Sequence, residues 1–494
     1  MTVKMSKLND DIFFLILQEL INDRKSLYSC LSVNKLLCEL VVSILWRDPY
    51  KYLRSRDIEE RLKRGTLFER IILFHLPESS RNHLIGKGIN IIPEQRQKLL
   101  FDYIKYCQYI CYGKYFHESH NLTDSQYAIL NQEIIKLFIS KCYAIKRLST
   151  MVSEYPIYTF PGANVSLSKL KELQCMSCSE LSFYYGLAQI CRSIEKISLM
   201  LFESNSGIAH LIEMQTRIKY LCVYVDDNDY GFKDKNESKK EQVSGENKHK
   251  RISQALVKHA DSILYFMLWI DRTFPFCLFP QLINLETLKL INDLGVEQRL
   301  FEKQLEMASF PNLQVLELTS ISLSIATKII ENTNGNLWKV KIESSDFNNT
   351  ITYIRAIINY CPNIEYVSLF INNQNLDELK RLLISCQRLE GIELLIKMAE
   401  NVRFMSEKFF YILVSLAPTS LYKIQIDLRI FSLKTLDLFF INWRGRKFLH
   451  LYPLITWRST SDSLKKYEIE GIIKYCMDNS FWYIEKYEEI EWED

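Results

Sequence analysis

Two residue pairs in this sequence have a spacing that could support metal or redox chemistry. Cys175 and Cys178 form a C-x-x-C pair, and His117 and His120 are separated by about one helical turn. A zinc site of the usual kind needs a second pair of ligands at a matching spacing, and neither pair has one nearby in the sequence. We therefore interpret the cysteines as structural and the histidines as surface residues, and we expect no metal and no cofactor.

Motifs for catalysis are also absent from the sequence. It contains no phosphate-binding G-x-x-x-x-G-K-[ST] or G-x-G-x-x-G loop, no G-x-S-x-G nucleophile turn and no H-E-x-x-H zinc motif. These absences indicate that the protein is not an enzyme. They direct attention to the surfaces that its secondary structure would present.

The composition argues against several further classes of function. The chain has 494 residues and a net charge of +3, which gives no electrostatic basis for binding nucleic acid. No apolar run reaches the roughly 18 residues of a membrane-spanning helix, and the short run at 13–17 has acidic flanks, unlike a signal peptide. The thirteen cysteines are then expected to be reduced, and the protein to be cytoplasmic or nuclear.

One pattern of apolar residues, at positions 0, +3 and +5, recurs between residues 170 and 426. It occurs at Leu170/Leu173/Cys175, Ile194/Ile197/Leu199, Ile218/Leu221/Val223, Ile263/Phe266/Leu268, Leu285/Leu288/Leu290, Leu313/Leu316/Leu318, Leu337/Val340/Ile342, Ile364/Val367/Leu369, Leu389/Ile392/Leu394 and Leu421/Ile424/Ile426. On a strand, positions +3 and +5 face one side and position +4, which is mostly polar, faces the other. Segments such as 352–361 and 376–386 have apolar residues at helical spacing. The pattern predicts an α/β solenoid, with parallel strands on the concave face and helices on the convex face.

This triplet resembles the L-x-x-L-x-L signature of leucine-rich repeats, although the asparagine that usually follows it is absent. Four cysteines lie three residues before position 0 of a copy or, in one case, of a weaker copy that begins at Ile145: Cys142, Cys191, Cys361 and Cys386. Their regular placement resembles the cysteine-containing subtype of these repeats. We expect their side chains to be small, buried and structural.

A candidate binding surface follows from the same alternation, because positions +2, +4 and +6 face away from the core. Most of these residues are polar, but a few are large and apolar: Tyr220, Tyr224, Tyr265, Met267, Trp269, Tyr366 and Phe370. Exposed aromatic and methionine side chains often dominate the energy of protein binding. We predict that they bind a client protein; the alternative is that another segment of the chain covers them.

The first fifty residues have a different pattern, which predicts three short helices at 8–20, 26–33 and 34–46. Their sequence, LNDDIFFLILQEL…SLYSCLSVNKLLCELVVSILWRDPY, contains more apolar positions than three short helices can bury among themselves. It resembles the F-box, and in particular the F-box proteins with leucine-rich repeats from fungi. The family usually has proline where this chain has Asn9.

The resemblance implies a function that composition and spacing do not. In that family the F-box binds a Skp-type adaptor, and through it the cullin of an SCF ubiquitin ligase, while the repeats hold the protein to be ubiquitinated. The residues that would contact the adaptor are Leu8, Asn9, Ile12, Ile16, Leu20, Val33, Leu45 and Trp46. The alternative for any of them is packing among the three helices. The alternative for the whole chain is a repeat scaffold without a link to ubiquitination, whose first helices form a cap.

These patterns divide the chain into segments. We predict an F-box at 1–50, a helical linker at 51–100, a leucine-rich-repeat solenoid at 101–430 and a C-terminal capping region at 431–494. The polar stretch at 226–251 predicts a disordered insertion. Within the last region we expect a helix that ends at Gly445 and one further strand at 447–454.

Overall fold

The computed structural model is an α/β structure whose fourteen parallel strands follow one another in the sheet in chain order. It describes residues 10–476 apart from 22, 53–57, 92–98, 113–121, 151–154, 178–179, 203, 226–248, 271–273, 275, 294, 298, 397–401 and 454–457. The predicted fold class, a repeat solenoid of parallel strands alternating with helices, is confirmed.

The strands are β1 Tyr109–Tyr112, β2 Arg147–Thr150, β3 Glu172–Met176, β4 Lys196–Leu201, β5 Tyr220–Val225, β6 Tyr265–Trp269, β7 Thr287–Ile291, β8 Val315–Thr319, β9 Lys339–Glu343, β10 Tyr366–Ile371, β11 Gly391–Ile396, β12 Lys423–Ile426, β13 Leu449–Pro453 and β14 Ile473–Tyr475.

The helices are α1 Asp10–Glu19, α2 Arg24–Cys30, α3 Lys35–Leu45, α4 Ile58–His75, α5 Glu78–Gly86, α6 Asp124–Lys141, α7 Ala163–Ser166, α8 Leu181–Ile190, α9 Ser206–Glu213, α10 Lys250–Val257, α11 Arg299–Met307, α12 Leu323–Glu331, α13 Thr350–Tyr360, α14 Leu376–Ser385, α15 Val402–Leu416, α16 Leu433–Trp443 and α17 Arg458–Ile469. Short 3-10 helices lie at Pro49–Tyr52, Tyr103–Tyr106, Ile157–Thr159, Phe276–Gln281 and Leu428–Ile430.

The described residues form two compact units. The first comprises those up to Leu221 together with His249–Leu256, and the second comprises Cys222–Val225 and those from Val257 onward. The first unit therefore contains the N-terminal helices and strands β1–β4, and the second contains β6–β14.

The ten apolar triplets form the core of both units. Every side chain in them is at most 2% exposed. In the first unit Leu173 pairs with Ile197, and in the second Leu288, Leu316 and Val340 lie side by side on neighbouring strands. Since full burial of such a side chain stabilises a protein by roughly 1.5–3 kcal/mol, stacking equivalent positions is what makes each repeat stable.

The strands begin with a recurring pair of hydrogen bonds. The amides of Trp338 and Lys339 both donate to the carbonyl of Gln314, at 3.0 and 3.3 Å, and those of Glu365 and Tyr366 both donate to the carbonyl of Trp338, at 2.8 and 3.0 Å. Equivalent pairs begin β2–β5 and β7–β12. This repeated geometry fixes the register, so that residues at one position of the triplet form rows across the strands.

Buried asparagines close two of the loops that follow strands. The side-chain amide of Asn292 donates to the carbonyls of Val296 and Ser320, at 3.1 and 3.4 Å. The side-chain amide of Asn205 donates to the carbonyl of Ser177 at 3.0 Å. The asparagine that usually follows the triplet was expected to be absent, but Asn372 occupies that place, eight residues after Ile364. The asparagines that close the two loops above lie at other offsets from their triplets.

The cysteines at the ends of helices are buried, as the sequence predicts: Cys142, Cys191, Cys361 and Cys386. The thiols of the first two donate to the carbonyls of Ile104 and Leu167, at 3.2 and 3.4 Å. Burial raises the pKa of both thiols to about 12, so they stay protonated and unreactive at neutral pH. Cys175 is buried as well, and Cys178 lies outside the described residues.

The region after the last triplet confirms two expectations and adds a strand. Helix α16 ends just before Gly445, whose φ is 85°, and β13 lies within the predicted strand at 447–454. Strand β14 was not predicted, and it pairs with β13. Most of the predicted disordered insertion, residues 226–248, lies outside the described residues, and helix α10 begins at Lys250.

Two further features concern membranes and metals. Across the described ranges, no helix combines the length and the apolar character needed to cross a bilayer. Within the same ranges, no three His, Cys, Asp or Glu residues are grouped so that they could hold a metal ion. His117 and His120 lie outside the described residues.

Candidate protein-interaction surfaces

The three N-terminal helices form a small module with a core of its own. The carboxylate of Asp23 accepts from the amide of Ser26 at 3.2 Å and caps α2, and the side chain of Asn34 accepts from the amide of Leu37 at 2.9 Å and caps α3. Such caps stabilise short helices by about 1 kcal/mol each. The buried core consists of Leu17, Leu27, Val41 and Ile44.

Outside this core, the module exposes five apolar side chains. Ile12, Leu15 and Ile16 lie on one side of α1, because they are three and four residues apart. Tyr28 on α2 and Val33 between α2 and α3 are exposed too. Between 44% and 63% of each of these five side chains is accessible to solvent. We call these five residues the apolar helix face.

The eight residues that the F-box resemblance assigns to the adaptor divide into three groups. Ile12, Ile16 and Val33 belong to the apolar helix face, whereas Leu8 and Asn9 lie outside the described residues. Leu20 and Leu45 pack against the module core. The ring of Trp46 lies 4.7 Å from that of Tyr103 and 5.7 Å from that of Phe68, so it contacts segments that follow the module. For Leu20, Leu45 and Trp46, the structure shows internal packing.

The predicted client surface is partly accessible. In the second unit the rings of Tyr224 and Trp269 meet edge to face, with centroids 5.7 Å apart, and both side chains are half-buried, as is Met267. Tyr265 is buried; its hydroxyl lies 3.6 Å from the sulfur of Met267. Tyr220, in the first unit, is half-buried.

The second aromatic pair of that prediction, Tyr366 and Phe370, is not exposed. The ring of Tyr366 lies across Gly391 on the next strand, where only the absence of a side chain leaves room, and its hydroxyl donates to Glu390 at 3.0 Å. Burial, with the neighbouring Tyr422 and Glu390, raises the pKa of Tyr366. The ring of Phe370 is 5.4 Å from that of Phe347, which precedes α13. Contacts with neighbouring repeats therefore bury both rings.

Charged side chains alternate in sign along the first strands of the sheet. Glu172 on β3 lies between Arg147 on β2, at 2.7 Å, and Lys196 on β4, at 3.6 Å. Glu195, which directly precedes Lys196, lies 2.7 Å from Lys171 and 2.6 Å from Lys219. Opposite charges on neighbouring strands stabilise a sheet.

The same arrangement recurs in the second unit, where it is more deeply buried. Glu317 on β8 lies 3.0 Å from Lys289 on β7 and 3.0 Å from Lys339 on β9. Burial alone would raise the pKa of Glu317, but the two ammonium groups outweigh it and hold the pKa at about 2. The glutamate is therefore charged at every physiological pH.

Sequence reasoning missed a group of basic residues near the end of the sheet. His450 on β13 pairs directly with Lys423 on β12 and with Lys474 on β14. All three occupy position +2 when the triplet register is extended into 448–453 and 472–477. The signal was missed because Pro453 breaks the triplet in the first segment, and because no strand was predicted in the second, although Ile472, Tyr475 and Met477 fit the triplet.

No family model matches the chain, and the search of curated proteins finds no similar sequence. Among solved structures, the chain is similar to one in the crystal structure of the Rad7 and Elc1 complex in yeast. The TM-score is 0.36 and the sequence identity 13%, over 57% of this chain and 69% of that one.

Proposed function

We propose that this protein is a non-catalytic substrate-recognition subunit of a Skp–cullin–F-box ubiquitin ligase. The proposal rests on the resemblance of residues 5–50 to the F-box together with one structural observation, the exposed apolar helix face. Such a subunit works in the cytoplasm or the nucleus. Its N-terminal module binds the adaptor, and its repeats hold a client protein.

The apolar helix face supports adaptor binding because exposing apolar side chains to water is unfavourable, and a partner that covers them removes this cost. Covering a half-exposed isoleucine, leucine or tyrosine stabilises a complex by about 1 kcal/mol each, so five such residues provide a sizeable part of a binding energy. Ile12, Ile16 and Val33 are the predicted adaptor residues that fit this role, and Leu15 and Tyr28 are added to them. Leu20, Leu45 and Trp46 then act by holding the module in shape.

The client is proposed to contact the sheet. Tyr224, Met267 and Trp269 are half-buried and belong to one compact unit, so they present apolar area without needing to unfold. Tyr265 supports Met267 from below through its hydroxyl contact. Large side chains of this kind contribute more to binding than the polar residues around them.

A repeat scaffold remains the second candidate, and one observation favours it. The carbonyl of Arg47, at the end of the module, accepts from the amides of Gln108 and Tyr109 at 2.9 and 3.2 Å. This is the same paired hydrogen bond that begins β2–β5 and β7–β12, so the module caps β1. A cap needs no apolar outer face, however, and Ile12, Leu15 and Ile16 form one.

The decisive experiment is a binding assay between the full chain and a purified Skp-type adaptor. We expect the parent chain to bind and the Ile12→Asp/Ile16→Asp variant to lose at least about a hundredfold in affinity, because two carboxylates would be buried in an apolar interface. The matched control is Leu67→Asp/Ile85→Asp, which makes the same change at exposed positions on α4 and α5.

The control should bind like the parent, and circular dichroism should show all three proteins equally folded. A folded parent that does not bind the adaptor, or equal losses in both double variants, would leave the scaffold function as the better description.

A further inference from the structure

The basic residues near the end of the sheet form a row that differs from every other charged row described above. Lys423 pairs with His450, and His450 pairs with Lys474, on three consecutive strands. Since paired strands are about 4.8 Å apart, the row places its two lysines about 10 Å from each other with the histidine between them. We call these three residues the basic row.

Elsewhere in the sheet a carboxylate separates the cations. Glu172, Glu195 and Glu317 each lie between two basic side chains, one from the repeat on either side. In the basic row no acidic residue is interposed, and within the described part of the chain Lys474 forms no ion pair. Like charges directly opposite each other destabilise a sheet, so folding does not explain why this row is basic throughout.

Aromatic side chains border the row. The ring of His450 meets those of Tyr422 and Phe448 edge to face, with centroids 5.8 Å apart in both cases. The ammonium group of Lys447 lies 5.6 Å from the centre of the Tyr422 ring, and Phe448 is 41% exposed. The basic row is therefore bordered by aromatic side chains, and it is accessible enough for another chain to contact it.

We infer that the basic row is a docking site for an extended acidic segment of the client protein. The inference rests on the proposed receptor function and names the chemistry of the partner. Carboxylates three residues apart in an extended chain are separated by about 10 Å, which matches the spacing of Lys423 and Lys474. Burying such a segment removes the repulsion within the row, and Phe448 and Tyr422 cover the aliphatic parts of its side chains.

Lysine suits carboxylates because its ammonium group is a compact charge, and the imidazole of His450 can donate a hydrogen bond to a carboxylate between the two lysines. The row contains no arginine, whose planar guanidinium group binds phosphate with two parallel hydrogen bonds. This favours a carboxylate over a phosphate as the ligand. The chain's own residues 477–494 are also acidic, and they follow Lys474 closely in the sequence. The experiment has to separate these possibilities.

The test measures binding of a fluorescein-labelled peptide to the full chain by fluorescence anisotropy at low salt. The probe is a short serine–glycine peptide with glutamate at every third position, and the control peptide has glutamine instead. We expect the glutamate peptide to bind and the glutamine peptide not to. The Lys423→Gln/Lys474→Gln variant should weaken binding at least about tenfold.

A charge-matched variant, Lys303→Gln/Lys434→Gln, removes two exposed lysines from helices of the same unit and should bind within about twofold of the parent. Equal losses in the two double variants would reduce the effect to net charge and overturn the inference. So would binding of a phosphoserine peptide with no binding of the glutamate peptide.

Occupation by the chain itself is tested with a full-length variant in which Glu488, Glu489, Glu491 and Glu493 are replaced by glutamine. If the glutamate peptide binds this variant but not the parent, the chain's own segment fills the row and the inference is overturned. Adaptor binding, measured in parallel, does not depend on the basic row. If the parent chain binds the adaptor but neither it nor the variant without the four glutamates binds the glutamate peptide, this inference alone is overturned.

Discussion

Glu317 neutralises two lysines in a largely buried site, so its replacement should change stability strongly. Lys339 is only 3% exposed, and its ammonium group lies 3.0 Å from the carboxylate. Replacing Glu317 by glutamine leaves that ammonium group buried beside a neutral amide. Removing one partner of a buried ion pair typically destabilises a protein by about 3–5 kcal/mol. Since Lys289 and Glu317 are about a fifth exposed, we expect a value near 3 kcal/mol.

The lowered pKa of Glu317 corresponds to a similar stabilisation and makes it depend on pH. The pKa of Glu317 falls from 4.5 to about 2 on folding, so the folded state is stabilised whenever the pH exceeds the unfolded value. A shift of this size corresponds to about 3 kcal/mol above roughly pH 5.5, of which about 1 kcal/mol remains at pH 3. The stabilisation disappears as the pH falls through the folded pKa.

The assay is urea unfolding of the parent and of Glu317→Gln at a series of pH values, since urea does not screen charges. We expect the difference in unfolding free energy to be about 3 kcal/mol at pH 7 and to shrink steadily below pH 5. The matched control is Glu343→Gln on β9, an exposed glutamate 2.6 Å from Lys341, which should change stability by less than about 0.5 kcal/mol. Equal stability of the parent and Glu317→Gln at pH 7, or a difference that does not depend on pH, would refute the reasoning.

Three further predictions follow from other contacts. Gly391→Ala should destabilise the chain by about 1–3 kcal/mol in urea unfolding, because the new Cβ would lie 2.6 Å from the ring of Tyr366. In a Tyr366→Ala background, where that ring is gone, Gly391→Ala should be neutral or slightly stabilising. An equally large loss of unfolding free energy on Gly391→Ala in the Tyr366→Ala background would contradict this. Lys474→Gln should leave the melting temperature unchanged or raise it, because it relieves repulsion in the basic row; a fall of several degrees would show that the lysine is structural. The glutamate peptide should bind more tightly as the pH falls from 8 to about 5.5, because burial and the adjacent Lys474 and Lys423 lower the pKa of His450 and an acidic ligand favours its charged form. Anisotropy titrations of parent and His450→Gln check this, and an equal pH dependence in both would contradict it.

The N-terminal module combines two properties that the sequence analysis treats as alternatives. Through the carbonyl of Arg47 it continues the hydrogen-bond pattern of the strands, and through Ile12, Leu15 and Ile16 it leaves an apolar face in water. The hydrogen bonds that close the first repeat therefore leave Ile12, Leu15 and Ile16 accessible to the proposed adaptor. The Ile12→Asp/Ile16→Asp variant separates these roles, since it changes only the exposed side.

The amino-acid sequence by itself determined the repeated core. Positions 0, +3 and +5 are buried in all ten triplets because strand alternation and the spacing to the next helix are local properties. The positions of the buried cysteines and the end of α16 before Gly445 followed in the same way. Such features depend on residues a few positions apart, which the sequence shows directly.

Only the tertiary structure decided which of the remaining side chains are exposed. Tyr366 is at a position that normally faces solvent, yet it is buried because the residue beside it on the next strand is Gly391. Trp46, assigned to a partner, packs on Tyr103, more than fifty residues away in sequence. Lys423 and Lys474 are brought together by the register of three strands separated by loops of different lengths. Exposure and charge pairing depend on neighbours across the sheet, and the register that selects those neighbours is a property of the folded chain.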